Sequence, residues 1–218
     1  MNALVIVLSV LFIVLSVLVI VVSALYLTAL KKIKSFEAKR DVNPEVGVLN
    51  SKVKKESDIL NLLSGSEKLL LARLDGRRII SEAHDIFRFW IDSDFENLGL
   101  NKKSKATTET EIQIYEMAKN ATFKDMFTSL SNDLDSLCLT QSQIIDFCIN
   151  HSEHLIAIGS STFFLTKKDF EKSATSDNLF VVAVLVASDG LPVRVDRFGD
   201  ASVWRADDHR RLVVPKLS

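Results

Sequence analysis

Thiols, turn-forming residues and surplus charge are all scarce in this chain. Its 218 residues hold two cysteines, seven glycines and three prolines. Cys138 and Cys148 alone exclude a disulfide framework, and they are compatible with a reducing compartment. No phosphate-binding glycine loop motif is present, and so few glycines and prolines point to mostly regular structure with few long loops. A formal net charge of −1 excludes a global basic field that would draw in nucleic acid. The nucleophile elbow G-x-S-x-G and the zinc motif H-E-x-x-H are missing as well. No cofactor is implied.

What the chain does have is one long uncharged run. Residues 3 to 30 repeat with a period of seven: Ile6-Val7-Leu8-Ser9-Val10-Leu11, then Ile13-Val14-Leu15-Ser16-Val17-Leu18, then Ile20-Val21-Val22-Ser23-Ala24-Leu25. As a helix this run is about 42 Å long, against a hydrocarbon core of about 30 Å. It is too long for the apolar part of a signal peptide and lacks a basic start. The sequence therefore predicts an uncleaved transmembrane anchor over 1–30. Lys31, Lys32, Lys34, Lys39 and Arg40 follow it against a single acid, Glu37. Basic flanks stay inside, so the expectation is a single-pass protein of the inner membrane, N-terminus outside and the rest cytoplasmic. These five cations would sit at the lipid headgroups of the bilayer. Ser9, Ser16 and Ser23 form a stripe with two readings. One is a helix–helix seam for a homo-oligomer, and the other is hydroxyls bonded back to their own helix.

Residues 31–56 read as a basic juxtamembrane stalk, interrupted by Asn43-Pro44 and Gly47. The remainder, 57–218, reads as one α+β domain, with helices over 57–155 and strands over 161–215. In the first part Ser57 and Ser66 are candidate N-caps. Ala83, Ile86, Phe87 and Trp90 fall at helical spacing within residues 79–91. Residues 97–105 form a polar loop. Thr108 with Glu111, Thr122 with Asp125, and Thr140 with Gln143 have capping-box spacing. The strand candidates are residues 162–165, 179–187, 191–198, 201–204 and 210–214. They are joined by turns such as Ser188-Asp189-Gly190. Together they predict an antiparallel β-meander of four or five strands.

Three constellations could carry chemistry. Trp204, Arg205, Asp207, Asp208, His209, Arg210 and Arg211 crowd one turn. They could bind a ligand, supply an acid–histidine pair for an enzyme, or simply form a polar turn with cross-strand ion pairs. Cys148, His151 and His154, with Cys138, have donors at helical spacing, but C-x₂-H-x₂-H is not a zinc-finger spacing, and no metal is assigned. Asp92-Ser93-Asp94 with Glu96 lacks the glycine-bearing loop of a calcium site and reads as an acidic helix end.

Several of these stretches also resemble a known family. The residues are Phe87, Trp90-Ile91-Asp92, Asp94-Phe95, Asn97 and Gly99-Leu100; Thr122-Phe123, Met126-Phe127, Ser129-Leu130, Asp133-Leu134-Asp135, Leu137-Cys138, Thr140-Gln141 and Gln143-Ile144. Thr162-Phe163-Phe164-Leu165, Arg197-Phe198, Val203-Trp204 and Arg210 to Pro215 complete the set. Over roughly residues 75–218 they resemble a family of small uncharacterised bacterial proteins from candidate-phylum genomes. The resemblance implies a bacterial source and hence an inner membrane. It carries no activity, fold or cofactor.

The functional expectation is a membrane-held binding or adaptor domain, not an enzyme, with a protein partner of unknown identity. Two alternatives stand beside it. One is a nucleic-acid or phospho-ligand module using Arg194, Arg197, Arg205, Arg210 and Arg211. The other is an enzyme built on Asp207, Asp208 and His209.

Overall fold

The computed structural model describes residues 58–156 and 160–217. Eight strands form one mixed sheet: β1 (Leu60–Leu62), β2 (Leu69–Leu71), β3 (Trp90–Ile91), β4 (Thr110–Met117), β5 (Ser161–Lys167), β6 (Leu179–Leu185), β7 (Pro192–Arg197) and β8 (Arg211–Pro215). Their order is β1-β4-β8-β5-β6-β7-β3, and β2 also pairs with β4. The β5–β8 and β3–β7 pairs are parallel, and all the others are antiparallel. Three α-helices among the described residues accompany the sheet: α1 (Asp94–Asn97), α2 (Phe123–Leu130) and α3 (Gln141–Asn150).

β5 shows why the sheet is covered on both sides, because all seven of its residues are buried. Side chains alternate along a strand, so Phe164 faces one way and Phe163 and Leu165 the other. On the first face Phe164, Phe180, Val182 and Val213 pack beneath Ile144, Phe147 and Cys148 of α3, with Phe87 and Phe95 beside them. On the second face Phe163, Leu165, Val181 and Leu212 pack against Phe123, Met126 and Phe127 of α2. Edge-to-face ring pairs link helix to sheet on each side: Phe147 with Phe164 at 5.3 Å and Phe123 with Phe163 at 5.1 Å.

The fold departs from the expected helices-then-meander at several points. No helix among the described residues is long and apolar enough to cross a membrane, so the described architecture is mixed α/β without a single-pass element. The run at 3–30 with Ser9, Ser16 and Ser23, the cations Lys31 to Arg40, the stalk and the Ser57 cap lie outside the described residues. The expected helical region contains four strands. Thr108 and Glu111 do not start a helix, because residues 110–117 alternate with period two and pair with strands on both sides. Ile112 and Ile114 enter one core, while Tyr115 and Met117 enter the other. Ser66 precedes β2, not a helix. The helical spacing at 79–91 yields a 3₁₀ turn (Ile80–Glu82) and one further turn, closed by the Phe87 N–H on the Ala83 carbonyl at 3.0 Å. Trp90 then joins β3 and is exposed.

The strands do not form the expected meander of four or five. β5, β6 and β7 run antiparallel in sequence, but β8 lies on the far side of β5, between β5 and β4. Leu212, Val213 and Val214 are all buried, and such a run is satisfied only inside a sheet covered on both faces. Residues 201–204 make a single bridge, Ala121 with Trp204, and no strand.

Candidate functional site

The predicted C-terminal cluster is taken apart by strand alternation. Trp204 packs on the second face, its ring 5.2 Å from Phe123 and 5.1 Å from Phe163. The guanidinium of Arg210 lies 4.4 Å from the Trp204 ring centre and that of Arg194 lies 5.0 Å away, a cation–π arrangement. Arg210 is further held by Asp208 Oδ2 at 2.8 Å and Ser161 Oγ at 3.3 Å. Arg211, one residue on, emerges on the other face, where its Nη1 donates to the His154 carbonyl at 2.6 Å. Arg197 lies over Phe180, 5.9 Å from its ring. The five arginines of the nucleic-acid alternative therefore share no single surface.

Nor do the two acids and the histidine converge. Asp207 pairs with Arg205 at 3.5 Å and is 84% exposed. Asp208 pairs with Arg210, and His209 turns to Glu116 at 3.3 Å. His209 occupies the left-handed region, φ 50°, which ends the Ala206–Asp208 turn and points its ring outward. Asp196 and Arg194 pair at 3.2 Å. Burial pushes the Asp196 carboxyl up, against the pull of Arg194.

The other two constellations also take local roles. Asp92 Oδ1 accepts the Asp94 N–H at 3.0 Å, and Asp94 Oδ1 accepts from Asn97 Nδ2 at 3.0 Å, so these carboxylates cap and brace α1. Cys148 faces the first core and Cys138 packs against the second, so the sheet separates the two sulfurs. Burial raises both thiols, that of Cys138 to about 12, which disfavours the thiolate needed for ligation or attack.

The structure assembles instead a site that motif reading passed over. Residues 102–105 of the polar loop meet the end of β5 around a concavity of about 330 Å³. Its lining includes Lys102, Lys103, Lys105, Lys167 and Lys168 against two acids, Asp169 and Glu171, with Phe170 as an aromatic wall. Lys105 pairs with Glu171 at 2.7 Å. Lys167 is 7% exposed and bound to Asp135 and to the Lys172 carbonyl. Lys102, Lys103 and Lys168 make no ion pair among the described residues. The Asp169 carboxyl is held below its usual range by the Glu171 N–H, with Lys172 and Lys102 adding attraction.

The backbone around this basin is firmly placed. The Gly76 carbonyl accepts the Ser104 N–H at 3.0 Å, and Leu74 and Thr107 bridge beside it. Gln141 ties the floor together: its Oε1 accepts the Ile80 N–H at 2.9 Å and its amide donates to the Leu100 carbonyl. The sequence signal was two lysine runs, Lys102-Lys103-x-Lys105 and Lys167-Lys168. Each alone reads as a solvated stretch, and only the fold brings them together. No protein-family model, curated protein or solved structure matches this chain.

Proposed function

We propose that this domain binds a phosphate-bearing small molecule at the lysine basin and acts by binding, without turnover. The observation that supports this is three lysines, without ion-pair partners among the described residues, facing one concavity beside an aromatic ring. Ammonium groups are point charges that suit phosphate oxygens, and Phe170 offers an apolar surface to the organic part of such a ligand. The Asp207, Asp208 and His209 side chains have separate partners, which gives the enzyme alternative no assembled acid–base pair there.

The test is calorimetric titration of the intact chain with ATP and with inorganic pyrophosphate at low salt. The expected result is saturable binding that weakens as salt rises, because exposed charges are screened over about 10 Å at 0.1 M. The triple variant K102E/K103E/K168E is expected to lose about ten-fold or more in affinity, which is about 1.4 kcal/mol. K124E, on α2, is expected to bind like the unaltered chain. Absence of binding to either probe, or equal affinity in the triple variant, sinks the proposal.

A further inference from the structure

The turn that follows α3 gathers three metal-ligating side chains. His151 ends the helix, and Ser152–His154 makes a single 3₁₀ turn closed by the His154 N–H on the His151 carbonyl at 3.0 Å. A 3₁₀ turn has three residues, so positions three apart stand over one another. The two imidazole rings accordingly lie 6.3 Å apart, with Glu153 beside them. One nitrogen of each ring and one Glu153 carboxylate oxygen all fall within 4.8 Å of one another.

We propose that His151, Glu153 and His154 form a binding site for a divalent transition ion of the zinc class. Two imidazoles and a carboxylate are a donor set that such ions accept, with a further position left to water. Bonds of about 2.1 Å in a tetrahedron place donors about 3.4 Å apart. Glu153 Oε1 and His154 Nε2 already stand at 3.5 Å, so one of the donor pairs is near the tetrahedral spacing.

The surroundings support the same assignment. His151 Nε2 lies 2.9 Å from the Leu70 carbonyl. Donation of its N–H there leaves Nδ1 with the lone pair, and a backbone carbonyl in this role is what orients a ligating histidine. The His154 carbonyl is anchored by Arg211. That guanidinium works against a cation, but the Glu116 carboxylate 4.0 Å from Arg211 Nε offsets it. The site differs from the cysteine–histidine set suggested by spacing alone: Glu153 takes the place of the buried Cys148. It is independent of the lysine basin.

The experiment titrates the intact, reduced, chelator-stripped chain with Co(II), read by visible d–d absorption, and then displaces it with Zn(II). One equivalent is expected to bind, with Zn(II) displacing Co(II). H154A and E153Q are each expected to weaken binding by about ten-fold or more. E153Q alters an exposed side chain and so reports on ligation even where H154A fails to fold. The double variant H84A/H209A removes the two other histidines and is expected to keep its affinity. Absence of stoichiometric binding, unchanged affinity in E153Q, or loss confined to H84A/H209A overturns the proposal.

Discussion

Gly76 sits at φ 74°, where a side chain is rarely accommodated. A Cβ there would meet the carbonyl oxygens of Lys105 and Ser104 at 2.3 and 2.4 Å, and both are backbone atoms that cannot swing aside. Gly76→Ala therefore carries the left-handed penalty of about 1–2 kcal/mol and displaces the loop bearing Lys102 and Lys103. Denaturant titration is expected to show a loss of about 2 kcal/mol or more, with weaker pyrophosphate binding in the same variant. Asp135 makes a second prediction at this scale. The ammonium of Lys167, and then the Ala174 N–H at 3.0 Å, hold its carboxyl below the usual range. A depressed folded-state value means that the contribution is fully present above the unfolded value of about 3.9. It fades as pH falls through the folded value. Asp135→Asn is expected to cost about 1–3 kcal/mol at neutral pH, since it removes the counter-charge of the buried Lys167 ammonium. It should also flatten the acid limb of the stability profile measured by urea melts between neutral and low pH.

Among the elements, α2 and α3 begin with complete capping boxes, Thr122 with Asp125 and Thr140 with Gln143. Thr140 is buried, so water cannot replace its hydroxyl. Thr140→Ala is expected to destabilise by about 1–2 kcal/mol and the more exposed Thr122→Ala by about 1 kcal/mol, as read by denaturant titration. Both helix starts were legible because a capping box is a local device. The same signature at Thr108 and Glu111 misled for the same reason. It says nothing of the strands that pair with residues 110–117, whose period-two apolar pattern prevailed. At 79–91 a 3.6-residue apolar spacing produced only two short turns, because Trp90 and Ile91 found a parallel partner in β7.

At the scale of the described domain, stability rests on the two cores that meet through the central strands. Phe164→Ala, at a fully buried site in β5, is expected to cost about 3–5 kcal/mol. Phe89→Ala, at a ring 55% exposed, is expected to stay within about 0.5 kcal/mol. Paired thermal and denaturant melts check the contrast. The sheet ends in short strands, two or three residues long, in β1, β2 and β3, which leaves little edge for another chain to extend. Taken alone, the amino-acid order determined the elements whose signals are local. These are the two capped helices, the apolar strands β5 and β6, the β6–β7 hairpin at Ser188-Asp189-Gly190, and the scarcity of thiols and net charge. Tertiary structure alone decided that β8 crosses beside β5, that Arg210 and Arg211 part to opposite faces, and that two distant lysine runs share one basin. The physical reason is that periodicity and caps are set by neighbours in the chain. Strand partners and side-chain gatherings are chosen by which arrangement buries the most apolar surface while satisfying every backbone polar group.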